Sequence, residues 1–272
     1  MDVFVHDRQT GQTSRVSVAS NGTQGNGPSY LGAFSTDGRY VAFFSDASNL
    51  VSGDTNGFSD VFVHDRQTGK TKRISVASNG TQGNNHSFSS SISADGRYVA
   101  YASWANNLVS GDINDFADVF VHDRQTEQTT RVSIASNGAQ GNNDSYWPSI
   151  STDGRYVTYG SLATNLVSGE IYSYWDVFLH DQQTGETIRI SIASNGVQGN
   201  NDSYWPSISA DNRYITFYSN ANNLVENDTG GYADVFIHDR QTGQTSRVSI
   251  SFNGIQGIAT HMGLPFRLMA VT

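Results

Sequence analysis

Side chains that carry oxygen recur at one place in the sequence, in the loop before each copy of the motif Asp-Val-Phe. The two complete sets are Asp54, Asn56 and Asp60, and Asp112, Asn114 and Asp118. Oxygen ligands at alternate positions of a short loop, followed by a carboxylate, suit a hard cation such as Ca²⁺. The spacing therefore predicts a calcium site in each loop. The alternative is that these side chains form Asx turns with the loop's own backbone.

Aromatic residues form the second candidate site, and they lie at positions where the sequence is not strictly repetitive. They are Tyr146, Trp147, Tyr204 and Trp205. Each pair follows Asp-Ser and precedes a Pro, at the start of a predicted strand. Such rings can stack on a sugar or on an aromatic side chain of a ligand, so we predict a glycan or protein ligand here. The alternative is that they pack between adjacent sheets.

Five histidines suggest a metal-binding array, but they occupy one repeated position. They are His6, His64, His122, His180 and His238. Catalysis needs unlike groups that converge at one place, whereas equivalent residues of a repeat usually belong to the scaffold. We expect these histidines to be structural and hydrogen-bonded, and we expect the repeated Asp and Arg of the Asp-Gly-Arg motif to stabilise a turn.

The elements that must position these residues follow from an internal repeat. The motif Asp-Val-Phe-x-His-Asp begins at Asp2 and recurs every 58 residues up to Asp234. A second motif, Ser-x-Asp-(Gly/Asn)-Arg-Tyr, begins at Ser35 and recurs three times with the same step. The second unit is predicted to contain four strands, at Ser89–Ser93, Arg97–Ser103, Asp118–Asp123 and Thr130–Ala135. No segment has the 3.6-residue apolar period of a helix.

Four strands per repeat predict an all-β protein, a β-propeller of four-stranded blades. The motifs Ser-x-Asp-Gly-Arg-Tyr-Val-Ala-Phe and Asp-Val-Phe-Val-His-Asp-Arg-Gln-Thr-Gly also resemble the repeats of TolB-type, WD-repeat-like bacterial propellers. The resemblance covers about residues 1–252. It departs from that family where the usual Pro before Asp-Gly is replaced by Thr or Ala. It implies the fold and a bacterial, periplasmic or extracellular location, and it does not identify a ligand.

The number of blades depends on the two ends of the chain. The sequence begins at a third strand, so it contains five third–fourth hairpins and four first–second hairpins. We predict a single domain over residues 1–272, a five-bladed propeller closed by pairing of the N- and C-terminal segments. The tail, residues 253–272, diverges from the repeat and is the predicted closing strand.

The composition limits the classes of partner that we expect for this protein. The formal net charge is −9, with 16 Lys and Arg against 25 Asp and Glu, so a nucleic-acid partner is not expected. No apolar run is long enough for a transmembrane helix, and no signal peptide is visible at the N-terminus. There is no cysteine, which excludes disulfides and thiol chemistry.

The functional interpretation is a non-catalytic binding or scaffolding propeller, with its ligand at the mouth of the central channel or on one face. No nucleophile elbow, phosphate-binding loop or His-Glu-x-x-His motif is present. Two carboxylic acids suffice for a glycosidase, so a carbohydrate-active enzyme with acids in the axial funnel is the first alternative. An inactive fragment of a larger surface propeller protein is the second.

Overall fold

A computed structural model describes residues 1–169, 171–229 and 231–250. This part of the chain contains eighteen β-strands joined by turns and loops. None of its segments forms a helix of the length and apolarity needed to cross a membrane. The chain divides into two compact units, residues 1–132 and residues 133–272.

The N-terminal unit contains a two-stranded sheet and two four-stranded sheets, all antiparallel. The two-stranded sheet is β1 (Phe4–His6) and β2 (Thr13–Arg15). The next sheet is β3 (Ser29–Phe34), β4 (Tyr40–Ser45), β5 (Asp60–Asp65) and β6 (Lys70–Arg73). The third is β7 (Ser87–Ile92), β8 (Tyr98–Ser103), β9 (Asp118–Asp123) and β10 (Gln128–Arg131).

The C-terminal unit contains two further four-stranded antiparallel sheets. One is β11 (Ser145–Ile150), β12 (Tyr156–Ser161), β13 (Asp176–Asp181) and β14 (Thr187–Arg189). The other is β15 (Ser203–Ile208), β16 (Tyr214–Ser219), β17 (Asp234–Asp239) and β18 (Gln244–Arg247). In each sheet the strands neighbour one another in sequence order, because every connection is a hairpin or a loop between adjacent strands.

Inner strands such as β5 are buried on both faces because consecutive sheets of a unit pack on each other. All six residues of β5 are buried. Val61 and Val63 belong to a core cluster with Tyr101 and Phe120 of the next sheet. Phe62 points to the opposite face and belongs to a cluster with Val5 of the two-stranded sheet. The same alternation joins Val177 and Leu179 with Phe217 and Phe236 in the C-terminal unit. This double burial explains why three successive residues of β5, Val61, Phe62 and Val63, are all apolar and do not alternate with polar residues.

The predicted fold class is confirmed, since the described chain is all-β and built from repeated four-stranded sheets. The third strand matches its predicted bounds, and the fourth ends earlier than predicted, at Arg73 and Arg131. The reason is Ser75, whose hydroxyl accepts the Val61 N–H at 3.1 Å and donates to Asp60 at 2.5 Å. A side chain therefore replaces one of the two backbone hydrogen bonds there, and the other, from the Ile74 N–H to the Val61 carbonyl, remains at 2.7 Å.

Residues 253–272, the predicted closing strand, lie outside the described residues. The prediction of one domain over residues 1–272 and that of a closed five-bladed ring therefore stay predictions.

Candidate binding site

Both predicted Tyr-Trp pairs lie at a β-bulge in the first strand of a sheet. The pairing of β11 with β12 shifts register between Tyr146 and Ser149, and β15 shifts in the same way after Tyr204. The bulged residues are Trp147, with a φ of 56°, and Trp205, with a φ of 54°. Positive φ is unusual for a large side chain, and bulges commonly redirect a side chain beside a functional site.

The bulges bring the predicted aromatic residues together with one that was not assigned to the site. The centroids of Tyr146 and Trp175 lie 5.3 Å apart at an interplanar angle of 29°. Trp147 lies 4.9 Å from Trp175 and 6.0 Å from Tyr204, which in turn lies 5.0 Å from Trp205. We call these five rings the aromatic surface. Each of them is partly exposed, so the surface is accessible to a ligand.

Two of the five rings also pack against their own sheets. The indole of Trp147 lies over Gly160, where an added Cβ would come within 2.8 Å of Trp147 Cε3. Trp205 meets Tyr218 edge to face at 5.7 Å. Trp147 also contacts Tyr204 of the next sheet, so the packing alternative from the sequence describes part of what the tryptophans do. Tyr146, Trp175 and Tyr204 form the remainder of the surface.

Polar groups border the aromatic surface. Asp202 accepts the backbone N–H of Trp175 through Oδ1 at 3.0 Å. Asn220 Nδ2 donates to the Tyr204 hydroxyl at 3.2 Å. The loop that ends at Trp175 also carries Tyr172 and Tyr174, both exposed. Rings beside amide and carboxylate groups are a combination suited to ligands with both apolar faces and hydroxyl groups.

An arginine at the end of the fourth strand contacts each acidic loop, which the sequence analysis did not predict. The Arg73 guanidinium lies 3.2 Å from Asp54 Oδ1 and 3.3 Å from Asp60 Oδ2. Arg131 makes the equivalent contacts, at 3.3 Å to Asp112 and 3.1 Å to Asp118. Burial raises the pKa of Asp60, and the Ser75 hydroxyl and the Arg73 charge act in the opposite direction. Burial likewise raises the pKa of Asp54.

The two asparagines of these loops form Asx turns. Asn56 Oδ1 accepts the Phe58 N–H at 3.0 Å, and its amide donates to Asp60 Oδ2 at 3.0 Å. Asn114 accepts the Phe116 N–H at 3.2 Å. Within the described ranges, no group of three or more His, Asp or Glu side chains is arranged to hold a metal. Calcium binding stays a prediction, in a loop where an arginine side chain lies between the carboxylates.

The repeated histidines are hydrogen-bonded by the fourth strand. His122 Nδ1 lies 2.9 Å from Thr129 Oγ1, and that hydroxyl donates to the Val76 carbonyl of the preceding sheet at 2.5 Å. Because the threonine proton is committed to Val76, the imidazole must donate through Nδ1. His64, His180 and His238 have the same partners in their repeats. These histidines therefore help to join adjacent sheets of a unit.

The Asp-Gly-Arg motif stabilises the opposite end of each sheet. Asp37 accepts from the Ser35 hydroxyl at 2.6 Å and from the Arg39 N–H at 3.0 Å, which fixes the turn. The Arg39 side chain makes two hydrogen bonds, of 3.0 and 2.8 Å, to the carboxylate of Asp65 at the end of β5. Those hydrogen bonds hold the pKa of Asp65 well below its usual range. The predicted scaffold role agrees with this geometry.

Sequence reasoning missed one cluster of unlike polar groups, in the N-terminal unit. Asp46, Ser59 and His86 come together although they belong to three different loops. The signal available in the sequence was that none of the three recurs at its repeat position. Their equivalents are Trp104, Leu162 and Asn220 for Asp46; Ala117, Trp175 and Ala233 for Ser59; and Pro28, Asp144 and Asp202 for His86.

No family model matches the sequence, and no curated protein matches it. Solved structures do. TolB from Acinetobacter baumannii is 17% identical, with a TM-score of 0.55 over 91% of this chain and 48% of the TolB chain. An acylaminoacyl peptidase from Pyrococcus horikoshii is 13% identical, with a TM-score of 0.51 over 91% of this chain and 34% of the peptidase. A prolyl endopeptidase is 16% identical, with a TM-score of 0.54 over 91% of this chain and 32% of the enzyme.

This chain thus spans about half the length of the TolB structure that it matches, and about a third of each peptidase. At these identities the similarity extends to the fold and not to an activity. The described chain is similar in fold to the TolB-type β-propellers, as its repeat motifs predict.

Proposed function

We propose that this chain is a non-catalytic binding module of β-propeller fold that takes a glycan on the aromatic surface. The observation that supports this is the row of partly exposed rings from Tyr146 and Trp175 to Tyr204, bordered by Asp202 and Asn220. The C–H face of a sugar ring packs on aromatic rings, while its hydroxyls pair with carboxylate and amide groups. From the similarity in fold to the TolB-type propellers we also propose a periplasmic or extracellular location.

The test is a glycan array followed by titration of the bound glycan, read by tryptophan fluorescence. We expect Tyr146→Ala and Tyr204→Ala each to weaken binding by about 0.5–1.5 kcal/mol, roughly 2- to 12-fold in Kd. Both rings contact Trp147, whose indole also packs on Gly160, a residue that the two substitutions leave unchanged. Ile171→Ala is the matched control, because Ile171 is an exposed aliphatic residue of the loop that ends at Trp175.

Equal affinity in the two tyrosine variants and the wild type would contradict the proposal. Release of new reducing ends during incubation with the glycan would favour the alternative, a carbohydrate-active enzyme.

A protein ligand is the second candidate, and the exposed apolar side chains of this loop support it. Ile171 is 69% exposed beside Tyr172 and Tyr174, and tyrosine is enriched at protein interfaces. If Ile171→Ala lost the binding of a protein ligand and still bound the glycan, the result would favour this candidate.

A further inference from the structure

Asp46, Ser59 and His86 form a cluster of hydrogen-bonding groups at the start of β7, in the N-terminal unit. The Ser59 hydroxyl donates to Asp46 Oδ1 in a short contact. The same hydroxyl lies 3.2 Å from His86 Nδ1. The backbone N–H of Ser59 donates to His86 Nδ1 at 3.0 Å. None of the three residues recurs at the equivalent position of another repeat, so their convergence is specific to this part of the chain.

The hydrogen bonds determine which nitrogen of His86 carries the proton. A backbone N–H can only donate, so Nδ1 accepts from Ser59 and the neutral imidazole is protonated at Nε2. The Ser59 hydroxyl proton is directed to Asp46. His86 Nε2–H has no hydrogen-bond partner among the residues that the structure describes, and neither does Asp46 Oδ2. The cluster thus offers one donor and one acceptor.

Aromatic rings border the imidazole of His86. Phe58 meets the imidazole of His86 edge to face at 4.9 Å, and Trp104 does so at 6.4 Å. Trp104 is 39% exposed, and Asp46, which holds the equivalent position of the preceding repeat, is exposed too. The Phe88 ring lies 4.7 Å from Trp104 and supports it from the first strand of the same sheet.

A structural role accounts for part of this arrangement and leaves the rest unexplained. In the C-terminal unit, Asp202 Oδ1 accepts the Trp175 N–H at 3.0 Å, the same contact that His86 makes with Ser59. Capping this N–H therefore needs only a carboxylate. An imidazole in its place adds a second nitrogen that the cap does not use.

We propose that this cluster, the Asp46–His86 site, is a second binding site that takes the pyranose ring of a neutral sugar. A hydroxyl group both donates and accepts, so one sugar can donate to Asp46 and accept from His86 Nε2–H. Its apolar face would pack on Trp104. The negative charge of Asp46 disfavours an anionic sugar, and the donor at His86 disfavours a cation. The assignment extends the proposed glycan-binding function, on which it rests, to a second site whose residues belong to the N-terminal unit.

Matched variants come from the repeat itself. His86→Asp introduces the residue found at positions 144 and 202, which keeps an acceptor for the Ser59 N–H and removes the Nε2 donor. Asp46→Asn introduces the residue found at position 220. Asp46→Asn is expected to melt close to the wild type, whereas His86→Asp places a second carboxylate beside Ser59 and is expected to melt at a lower temperature.

The experiment uses the methyl pyranosides of glucose, galactose and mannose, with protein labelled with ¹⁵N at histidine. We expect one of the three sugars to shift the His86 resonance, and His86→Asp and Asp46→Asn each to weaken its binding about tenfold. Galacturonate is expected to bind more weakly than methyl galactoside. The proposal fails if none of the sugars shifts the resonance, if both variants bind as the wild type does, or if galacturonate binds more tightly.

Failure of this site and failure of the proposed function can be told apart. A variant with Tyr146→Ala and Tyr204→Ala retains the Asp46–His86 site. If that variant binds no arrayed glycan but its His86 resonance still shifts with a methyl pyranoside, the second site stands alone. If the arrayed glycan binds while the resonance does not move, only the aromatic surface is supported.

Discussion

The guanidinium of Arg73 lies 3.2 Å from the carboxylate of Asp54, in a loop where the sequence predicts calcium. The contact is shielded from water, because the Arg73 side chain is 11% exposed and that of Asp54 is 3% exposed. Asp60 is the second carboxylate in contact with the guanidinium. The arginine thus supplies the positive charge that two buried acids require.

Removal of this arginine should destabilise the protein strongly. Arg73→Ala leaves two carboxylates buried without their cation, at a cost of about 3–5 kcal/mol. Calcium should then recover part of that loss, since a ligand at a hundred times its Kd adds about 2.7 kcal/mol. We expect Ca²⁺, compared with EDTA, to raise the melting temperature of Arg73→Ala more than that of the wild type, because Arg73 already supplies a positive charge to the wild-type loop. A wild-type rise that is lost in Asp54→Ala plus Asp112→Ala would instead establish the predicted calcium sites.

The repeat made much of the fold predictable, because its period places each strand from local signals alone. Asp118–Asp123 has the predicted bounds since its residues are buried on both faces and its ends are fixed by Asp side chains. The end of the fourth strand was predicted too late, because the Ser75 hydroxyl takes the place of a backbone carbonyl as the acceptor of the Val61 N–H. Such a substitution leaves no periodic signal in the sequence.

The sites were less predictable, because they depend on contacts between one repeat and the next. Tyr146 and Trp147 were identifiable because the pair recurs as Tyr204 and Trp205 but not in the first two repeats, whereas their pairing with Trp175 required knowledge of where a distant loop ends. The Arg73 contacts with the acidic loop were missed for the same reason. A period shows which residues are equivalent and does not show which of them touch.

Acid should destabilise the protein through its buried histidines. Burial lowers the pKa of His64, His180 and His238 below the usual 6.5. The unfolded chain then binds more protons than the folded one between the lowered pKa and 6.5, so stability falls as the pH falls through that window. Chemical denaturation at pH 7.5 and at pH 5.5 measures the loss.

The control is a triple variant with Asn at these three positions. The Asn amide can donate to the threonine hydroxyl as Nδ1 does, but it does not titrate. Asp54 and Asp60, whose pKa values are raised, act in the opposite direction and are common to both proteins. An equal loss of stability in the wild type and the variant would show that the histidines are not responsible.

The position of the Trp147 indole should require glycine at position 160. A Cβ at position 160 would lie 2.8 Å from Trp147 Cε3, so the indole must move in Gly160→Ala. We expect a cost of about 1–3 kcal/mol and a change in tryptophan fluorescence. In a Trp147→Ala background the same substitution should cost less, with a coupling of about 0.5–3 kcal/mol. Additive effects would mean that the two residues are not in contact.

Glu127 stands where the other four third–fourth turns have Gly11, Gly69, Gly185 and Gly243, and its φ is 60°. Its carboxylate contacts Lys72 and lies 3.6 Å from His122 Nε2. Both Glu127→Gly and Glu127→Ala remove these contacts, but only glycine adopts the left-handed backbone without strain. Glu127→Gly should therefore be more stable than Glu127→Ala by about 1 kcal/mol in urea denaturation. Equal stability of the two variants would show that the turn stores no backbone strain, and that Glu127 acts only through its side chain.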